Sequence, residues 1–277
     1  MDPLVSTDWL AGAIGAPDLR IADATLLAAD LGRDARAEFE DGHIPGAVFL
    51  DLAELRDTDS PLPNTMPSPA KLASRLSRLG LGDGTRIVLY DDAPWRTAAR
   101  AWWLLTSYGF TAAILDGGLA KWRAEGRALE SGTAHPHDMP ATPRPGAGRW
   151  RDLAAVRASL AKGGEPIVDA RSASRFTGEE ADPHGAAPGH IPGSANLPYP
   201  RLFAADGTYK RGEALAAAFR DAGVDPAQPF VATCGSGVTA AVLAFGAHLL
   251  GTPAAIYDGS WSEWGADPST PKAIGPA

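Results

Sequence analysis

The residue of this chain best suited to chemistry is its single cysteine, Cys234. It opens a loop between an apolar strand pattern at 230–233 and a helical pattern that starts near Val238. The loop comprises Cys234, Gly235, Ser236, Gly237, Val238 and Thr239. The two glycines let successive backbone N–H groups turn toward one point, and such a nest at the start of a helix favours a thiolate over a thiol. We therefore predict that Cys234 is a nucleophile, the alternative being a buried, inert cysteine.

A lone cysteine also limits the kinds of site that the chain can build. It cannot form a disulfide within the chain, and it argues against a secreted disulfide scaffold and against a cysteine-ligated zinc site. The six histidines are scattered, so we expect no metal site and no cofactor. Covalent sulfur chemistry at Cys234 must then end on a second molecule.

Charge and hydrophobicity argue against several classes of protein. The formal net charge is -8 and Lys and Arg form no block, a poor match for nucleic-acid binding. No apolar stretch approaches the length of a membrane span, and the acidic start Met1-Asp2-Pro3 does not resemble a secretion signal. We expect a cytoplasmic, soluble protein that binds neither nucleic acid nor membranes.

An internal repeat divides the chain into two halves of similar size. Gly-His-Ile-Pro-Gly occurs at 42–46 and at 189–193, and a tryptophan motif that begins Asp-Gly occurs at 116–122 and at 258–264. The segment between the copies is rich in proline and lacks apolar periodicity, as is typical of a linker. The repeat therefore predicts two domains. Their predicted bounds are 1–130 for the first, 131–148 for the linker and 149–277 for the second, which holds the cysteine.

Each half alternates short apolar runs with helical patterns, which predicts an α/β fold with a mostly parallel sheet flanked by helices in each domain. The predicted strands are 19–23, 86–90, 112–115, 166–170, 230–233 and 254–257. The predicted helices are 69–79, 97–108, 211–222 and 238–250. Cys234 then follows the carboxyl end of a strand, where open α/β sheets bind their ligands.

The first half lacks the nucleophile of the second. Counting back from the matched tryptophans without gaps places Asp92 opposite Cys234. The loop at 91–96 also lacks the glycines, so we expect no anion nest there. The first domain is predicted to be structural and to wall one side of the site.

Together these motifs resemble the tandem-domain rhodaneses, over nearly the whole chain. The resemblance rests on both Gly-His-Ile-Pro-Gly motifs, the strand-end Asp23 and Asp169, the Trp102-Trp103 pair, both tryptophan motifs and the cysteine loop. The loop is most similar to that of the 3-mercaptopyruvate sulfurtransferase branch. The resemblance implies two rhodanese-like domains. It also implies an enzyme whose cysteine takes sulfane sulfur from a small-molecule donor, becomes a persulfide and passes the sulfur to a thiol or to cyanide.

The donor is predicted from charge. A thiosulfate-type loop of this family carries basic side chains just after the cysteine, which suit a dianion, whereas Gly235 and Ser236 suit the monoanion mercaptopyruvate. Its carboxylate needs a guanidinium fork. Arg175 and Arg171 match the arginines that similar enzymes use near the donor, although Arg171, just after Asp169, could equally serve fold stability.

Two residues depart from the mercaptopyruvate branch near the donor. His184 stands where that branch often has a second carboxylate-binding arginine. Asn64 stands where it commonly has a histidine, downstream of an aspartate that matches Asp57. A relay from cysteine through serine and histidine to aspartate is therefore incomplete, although Ser236 could still donate a hydrogen bond to the donor.

The motif histidines, His43 and His190, are predicted to fix a turn rather than to act as bases, because both copies carry the histidine but only one carries the cysteine. Trp122, Trp261 and Trp264 are predicted to pack in the core or to line the cleft.

Three alternatives stay open at the level of sequence. The donor could be thiosulfate, and the acceptor could be thioredoxin or a low-molecular-weight thiol. A cysteine phosphatase would use the same kind of loop, but Ala240 and Ala241 stand where its phosphate-binding arginine is needed. The chain could also bind persulfides without turnover.

Overall fold

The computed structural model describes residues 1–134, 136–146, 149–183 and 185–276, apart from the side chain of Lys162. The chain forms two compact units, named here the N-terminal unit and the C-terminal unit. The N-terminal unit comprises Met1–Thr58, Met66–Gly146 and Ala205–Thr208, and the C-terminal unit comprises Asp59–Thr65, Ala147–Ala204 and Tyr209–Ala277. Each unit thus includes a short segment from the other half of the sequence. The domain bounds given above stay predictions.

Within its described residues, the N-terminal unit is built on a five-strand sheet in the order β1-β5-β4-β2-β3, in which all neighbours are parallel. The strands are β1 (Leu4–Val5), β2 (Leu19–Asp23), β3 (Ala47–Phe49), β4 (Arg86–Tyr90) and β5 (Thr111–Leu115). The helices are α1 (Thr7–Ala13), α2 (Ala35–Asp41), α3 (Pro69–Arg78), α4 (Ala98–Ser107) and α5 (Gly118–Ala124). Strand residues 87–90 are fully buried, as expected for a parallel sheet covered on both faces.

The described part of the C-terminal unit repeats this topology with the strand order β6-β10-β9-β7-β8, again with parallel neighbours. The strands are β6 (Trp150–Arg151), β7 (Ile167–Asp169), β8 (Ala195–Asn196), β9 (Phe230–Thr233) and β10 (Ala254–Tyr257). The helices are α6 (Leu153–Lys162), α7 (Ala173–Thr177), α8 (Gly212–Arg220), α9 (Ala240–Leu249) and α10 (Ser260–Trp264). The prediction of an α/β fold with two sheets is confirmed.

The predicted elements match the observed ones to within two residues at most ends. Four predicted strands coincide with β2, β4, β9 and β10. The predicted helices are one to three residues too long, mainly because capping residues were included in them. Leu79, for example, is the C-cap of α3 and lies outside the helix, whereas the predicted start at Pro69 is correct, with Ser68 as the N-cap that accepts a hydrogen bond from the backbone N–H of Lys71. Among the described residues, every helix is too short or too polar to cross a membrane.

The two motif histidines hold turns, as predicted. His43 Nδ1 lies 2.7 Å from the carbonyl oxygen of Phe39, and His190 Nδ1 lies 2.9 Å from that of Phe176. Each imidazole also stacks on the same phenylalanine, with ring centroids 4.0 Å and 3.7 Å apart. Both histidines are nearly fully buried, so their role is structural in both copies. The tryptophans of the two tryptophan motifs, Trp122, Trp261 and Trp264, are buried as well, which confirms that they pack in the core.

The predicted linker is not a free spacer over its described residues. Its backbone pairs with the N-terminal unit, since the N–H of Asp83 donates to Pro140 and the N–H of Met139 donates to Ser77. A Cβ added at Gly82 would lie 2.6 Å from Cβ of Met139. Glycine at position 82 therefore lets the segment pack closely.

We expect Gly82→Ala to lower the free energy of unfolding by about 1–3 kcal/mol, because the added methyl overpacks this contact. Chemical denaturation measures the change. Gly12→Ala is the matched control: a Cβ at Gly12 meets nothing within 4 Å, and alanine is favoured inside α1. Equal effects of the two substitutions would contradict the packing argument.

Candidate active site

Cys234 lies directly after the carboxyl end of β9, where the chain turns into α9. Its side chain is buried, with 2% of the residue exposed. The backbone N–H of Gly237 donates to Cys234 Sγ over 3.1 Å, and Gly237 has a φ of 80°, a conformation that favours glycine. A backbone donor therefore points at the sulfur, which stabilises negative charge there.

The start of α10 fixes the cysteine loop. Ser262 donates twice to the carbonyl of Gly235, from its backbone N–H over 2.8 Å and from Oγ over 2.7 Å. The N–H of Trp261 donates to the carbonyl of Cys234, and the N–H of Cys234 donates to Ser260 Oγ over 3.3 Å. Ser260 itself has a φ of 49°, an uncommon value for a residue with a side chain. The loop is thus held on its backbone, which leaves the sulfur for chemistry.

The structural counterpart of Cys234 in the N-terminal unit is Asp91. In the two sheets, Asp23 pairs with Tyr90 and Asp169 pairs with Thr233, so the next residue in each loop is Asp91 or Cys234. The prediction of Asp92 is wrong by one residue. The reason is loop length, because the stretch from this position to the next helix is one residue longer in the first copy.

The loop that begins at Asp91 does hold an anion, its own carboxylate. Asp91 Oδ1 accepts from the N–H of Ala93 over 3.1 Å, and Oδ2 accepts from the N–H of Ala98, at the start of α4, over 2.7 Å. Burial raises the pKa of Asp91 to about 6. These two amides donate to a carboxylate of the loop itself, and the expectation that the loop forms no anion nest stays a prediction.

Arg175 lies beside the cysteine loop, which is where a residue that binds the donor must lie. Its guanidinium extends from the last turn of α7, and Nη2 is 3.0 Å from the position that a Cβ on Gly235 would take. Nη2 also donates to Asp182 Oδ2 over 2.7 Å. Nε is buried and has no hydrogen-bond partner among the described residues. This fork is therefore partly committed to Asp182, with donors left over.

Arg171, the other arginine predicted to bind the donor, is engaged inside the fold. Its Nε and Nη2 donate to Asp169, Nη2 donates to the carbonyl of Gly189, and its guanidinium lies over the Trp261 ring. The side chains of Arg171 and Asp169 are 2% and 0% exposed. These contacts favour the structural alternative for Arg171.

Asn64 reaches the cysteine loop from the segment Asp59–Thr65 of the C-terminal unit. Its Nδ2 donates to Ser236 Oγ over 3.1 Å. Because the amide donates, the hydroxyl proton of Ser236 points elsewhere, so the serine can act as a donor. His184, the other departure from the branch, lies outside the described residues.

Three supporting residues were missed by sequence reasoning: Asp182, Ser260 and Ser262. The two serines carry a signal, because they replace Gly118 and Ala120 of the first tryptophan motif in the copy that holds the cysteine. Asp182 carries none, since its pairing with Arg175 depends on how α7 is placed. Among the described residues, His, Cys, Asp and Glu side chains form no group of three or more that could hold a metal ion.

Comparison with known proteins places the chain in a family. The rhodanese-like domain matches residues 6–125 and 152–267, one match in each half. The chain belongs to the rhodanese family. A human 3-mercaptopyruvate sulfurtransferase is 39% identical over 270 residues, covering 94% of this chain and 91% of the relative. A thiosulfate sulfurtransferase of Cricetulus griseus is also 39% identical, over 272 residues, with the same shares covered.

A solved structure agrees with these relatives. The crystal structure of SseA from Escherichia coli, described as showing the rhodanese fold and catalytic mechanism of 3-mercaptopyruvate sulfotransferases, superposes with a TM-score of 0.87 at 34% identity. It covers 94% of this rhodanese and 99% of the SseA chain. The predictions of a rhodanese fold and of a sulfurtransferase enzyme are confirmed. Such an enzyme implies a small-molecule sulfur donor and an acceptor.

We expect Arg171→Met to lower the free energy of unfolding by about 3–5 kcal/mol, because it leaves the buried Asp169 carboxylate without its cation. Chemical denaturation measures the loss. Arg201→Met is the control, since Arg201 pairs with Asp221 on the surface at 3.6 Å, and the expected change there is below about 1 kcal/mol. A raised KM for the donor at unchanged stability would instead support donor binding by Arg171.

Asp91 should make the stability depend on pH in a defined window. Its pKa is about 6 in the folded protein against an ordinary value of 3.8, so the folded state binds the proton more tightly. The stability contributed by this group is therefore present below about pH 4, falls as the pH rises to about 6 and stays low above that, by up to about 3 kcal/mol.

Asp91→Asn, which does not titrate, removes this slope. The free energy of unfolding of wild type minus that of the variant should fall between about pH 4 and pH 6 in a denaturation series. Any hydrogen bond lost in the variant adds only a constant offset. A difference that stays flat across the window contradicts the assignment.

Proposed function

We propose that this rhodanese transfers sulfur from 3-mercaptopyruvate, through a persulfide on Cys234, to a thiol or to cyanide. One observation carries the proposal: the guanidinium of Arg175 lies against Gly235, in the loop that holds the nucleophile. A carboxylate bound by Arg175 would lie next to the cysteine loop, and guanidinium and carboxylate groups match in geometry. Arg175 thus serves as the donor-binding residue, and Arg171 supports the fold.

The reaction begins when the Cys234 thiolate attacks the sulfur of the donor. An S–S bond forms, the bond between the donor carbon and sulfur breaks, and its electron pair goes to the carbon as the enolate of pyruvate. The enolate then takes up a proton from solvent or from a bound acid. Ser236, whose Oγ accepts from Asn64, can donate to the donor oxygen where negative charge develops.

The persulfide is stabilised by the backbone of the loop. Gly237 already donates to Cys234 Sγ. The N–H groups of Val238 and Thr239 make no hydrogen bond with the described residues, so they are available to a sulfur anion at this turn. The residues that contact the donor and the persulfide are therefore Gly235, Ser236, Gly237, Val238 and Thr239, together with Arg175.

A second thiol completes the cycle. Its thiolate attacks the outer sulfur, the S–S bond breaks and Cys234 leaves as thiolate, which gives ping-pong kinetics. Since Cys234 is the only cysteine, the acceptor must come from another molecule. Thioredoxin and low-molecular-weight thiols are the acceptors that we propose, and a cytoplasmic location would supply both in reduced form.

Thiosulfate is the alternative donor, because relatives of equal identity include proteins named thiosulfate sulfurtransferase. Gly235 and Ser236 add no positive charge to the loop. The second charge of thiosulfate would then lack a partner of its own, which costs on the order of 1–3 kcal/mol. We therefore propose mercaptopyruvate as the preferred donor.

Steady-state sulfur transfer to cyanide, measured with each donor, tests this order. We expect kcat/KM to be about ten-fold or more higher for mercaptopyruvate. Cys234→Ala should reduce both activities by roughly 10³-fold or more, since it removes the nucleophile. Mass spectra of donor-treated protein should show one added sulfur atom on the peptide that contains Cys234.

The control variant is Ser269→Ala, a change of an exposed hydroxyl, which should leave both activities unchanged. A preference for thiosulfate would overturn the donor assignment. Absence of turnover with either donor, in a protein that still acquires the persulfide, would favour a binding module. If the persulfide is absent as well, the proposed mechanism is wrong.

A further inference from the structure

The partner of Arg175 is a buried carboxylate that sequence reasoning did not single out. Asp182 Oδ2 accepts from Arg175 Nη2 over 2.7 Å, and the Asp182 side chain is only 3% exposed, against 22% for Arg175. A charged hydrogen bond with one fully buried member has a fixed geometry, because neither group can exchange it for water at low cost. Asp182 therefore determines where the fork lies.

The guanidinium of Arg175 also lies close to the cysteine loop. The position of a Cβ on Gly235 is 3.0 Å from Nη2 and 3.8 Å from Nη1. The fork is thus confined between the backbone at Gly235 and the carboxylate of Asp182. Nη1 makes no hydrogen bond with the described residues, so it is a donor left for a ligand, whereas Nε is buried and unpaired among those residues.

The same carboxylate also sets the charge of the site. Arg175 and Asp182 together have no net charge. A donor with one negative charge can use the remaining N–H groups of the fork, whereas each further negative charge on the donor is repelled by the Asp182 carboxylate nearby.

We propose that Asp182 is a positioning residue that selects singly charged donors, by fixing Arg175 and by cancelling its excess positive charge. The inference rests on the proposed function of Arg175 as the donor-binding residue. It assigns the preference for a monoanion to a buried ion pair outside the cysteine loop as well as to the loop itself.

Two variants separate the charge of Asp182 from its geometry. Asp182→Asn keeps an oxygen that can accept from Arg175 but removes the charge, so kcat/KM for thiosulfate relative to mercaptopyruvate should rise about five-fold to ten-fold. Asp182→Glu keeps the charge but lengthens the side chain, so this ratio should stay as in wild type. In that variant KM should rise for both donors while kcat changes little, because the fork is displaced before chemistry begins.

Asp221→Asn is the matched control, since Asp221 is exposed and pairs with Arg201 at 3.6 Å. It should change neither the ratio nor KM. A ratio that is equal in wild type and Asp182→Asn overturns the inference, and so does a ratio that shifts equally in Asp182→Glu.

If Asp182→Asn does not fold, the glutamate variant decides, since unchanged KM values there show that Asp182 does not position the fork. The failure of the proposed function looks different, because wild type would then turn over neither donor. Turnover by wild type with an unaltered donor ratio in the Asp182 variants refutes only the role of Asp182.

Discussion

Backbone amides at the turn from a central strand into the next helix need acceptors, and this constraint shapes both units. The first N–H groups of a helix have no partners inside it. In the C-terminal unit the sulfur of Cys234 accepts from Gly237. In the N-terminal unit the carboxylate of Asp91 accepts from Ala93 and Ala98. With a thiol, this turn is a reactive site. With a carboxylate, the turn satisfies its own backbone N–H groups.

The neighbouring strand shows how each unit balances a buried charge. Asp23 and Asp169 occupy matching places, and each accepts from the backbone N–H two residues on. Beside Asp23 stands the phenol of Tyr90, whereas Asp169 is paired with Arg171. Thr233 fills the place of Tyr90 in the C-terminal sheet. The aspartate of one copy thus has a hydroxyl partner and that of the other copy has a cation.

The sequence alone predicts the three central strands of each sheet and the location of the nucleophile, because both depend on local patterns, whereas the short edge strands β1, β3, β6 and β8 were not predicted. Apolar runs identify β4 and β9, and glycines beside Cys234 identify the turn. The counterpart of Cys234 was missed by one residue, since a count without gaps cannot detect the longer loop after Asp91. The role of Asp182 could not be predicted either, because its pairing with Arg175 depends on the fold, which brings α7 next to the cysteine loop. Local chemistry is readable from the sequence, whereas pairings across the fold require coordinates.

The two exchanged segments, Asp59–Thr65 and Ala205–Thr208, also determine whether either half of the chain is a complete unit by itself. Asn64 and Gly207 occupy the same place ahead of α3 and α8, and both have a left-handed backbone, with φ of 58° and 81°. Asn64 contacts Ser236 in one unit, and Gly207 lies close to the Arg96 guanidinium in the other. Each half of the sequence therefore carries a segment that the other half's unit includes. A chain cut between the halves would leave both units incomplete, so neither half can be removed without taking part of the other unit with it.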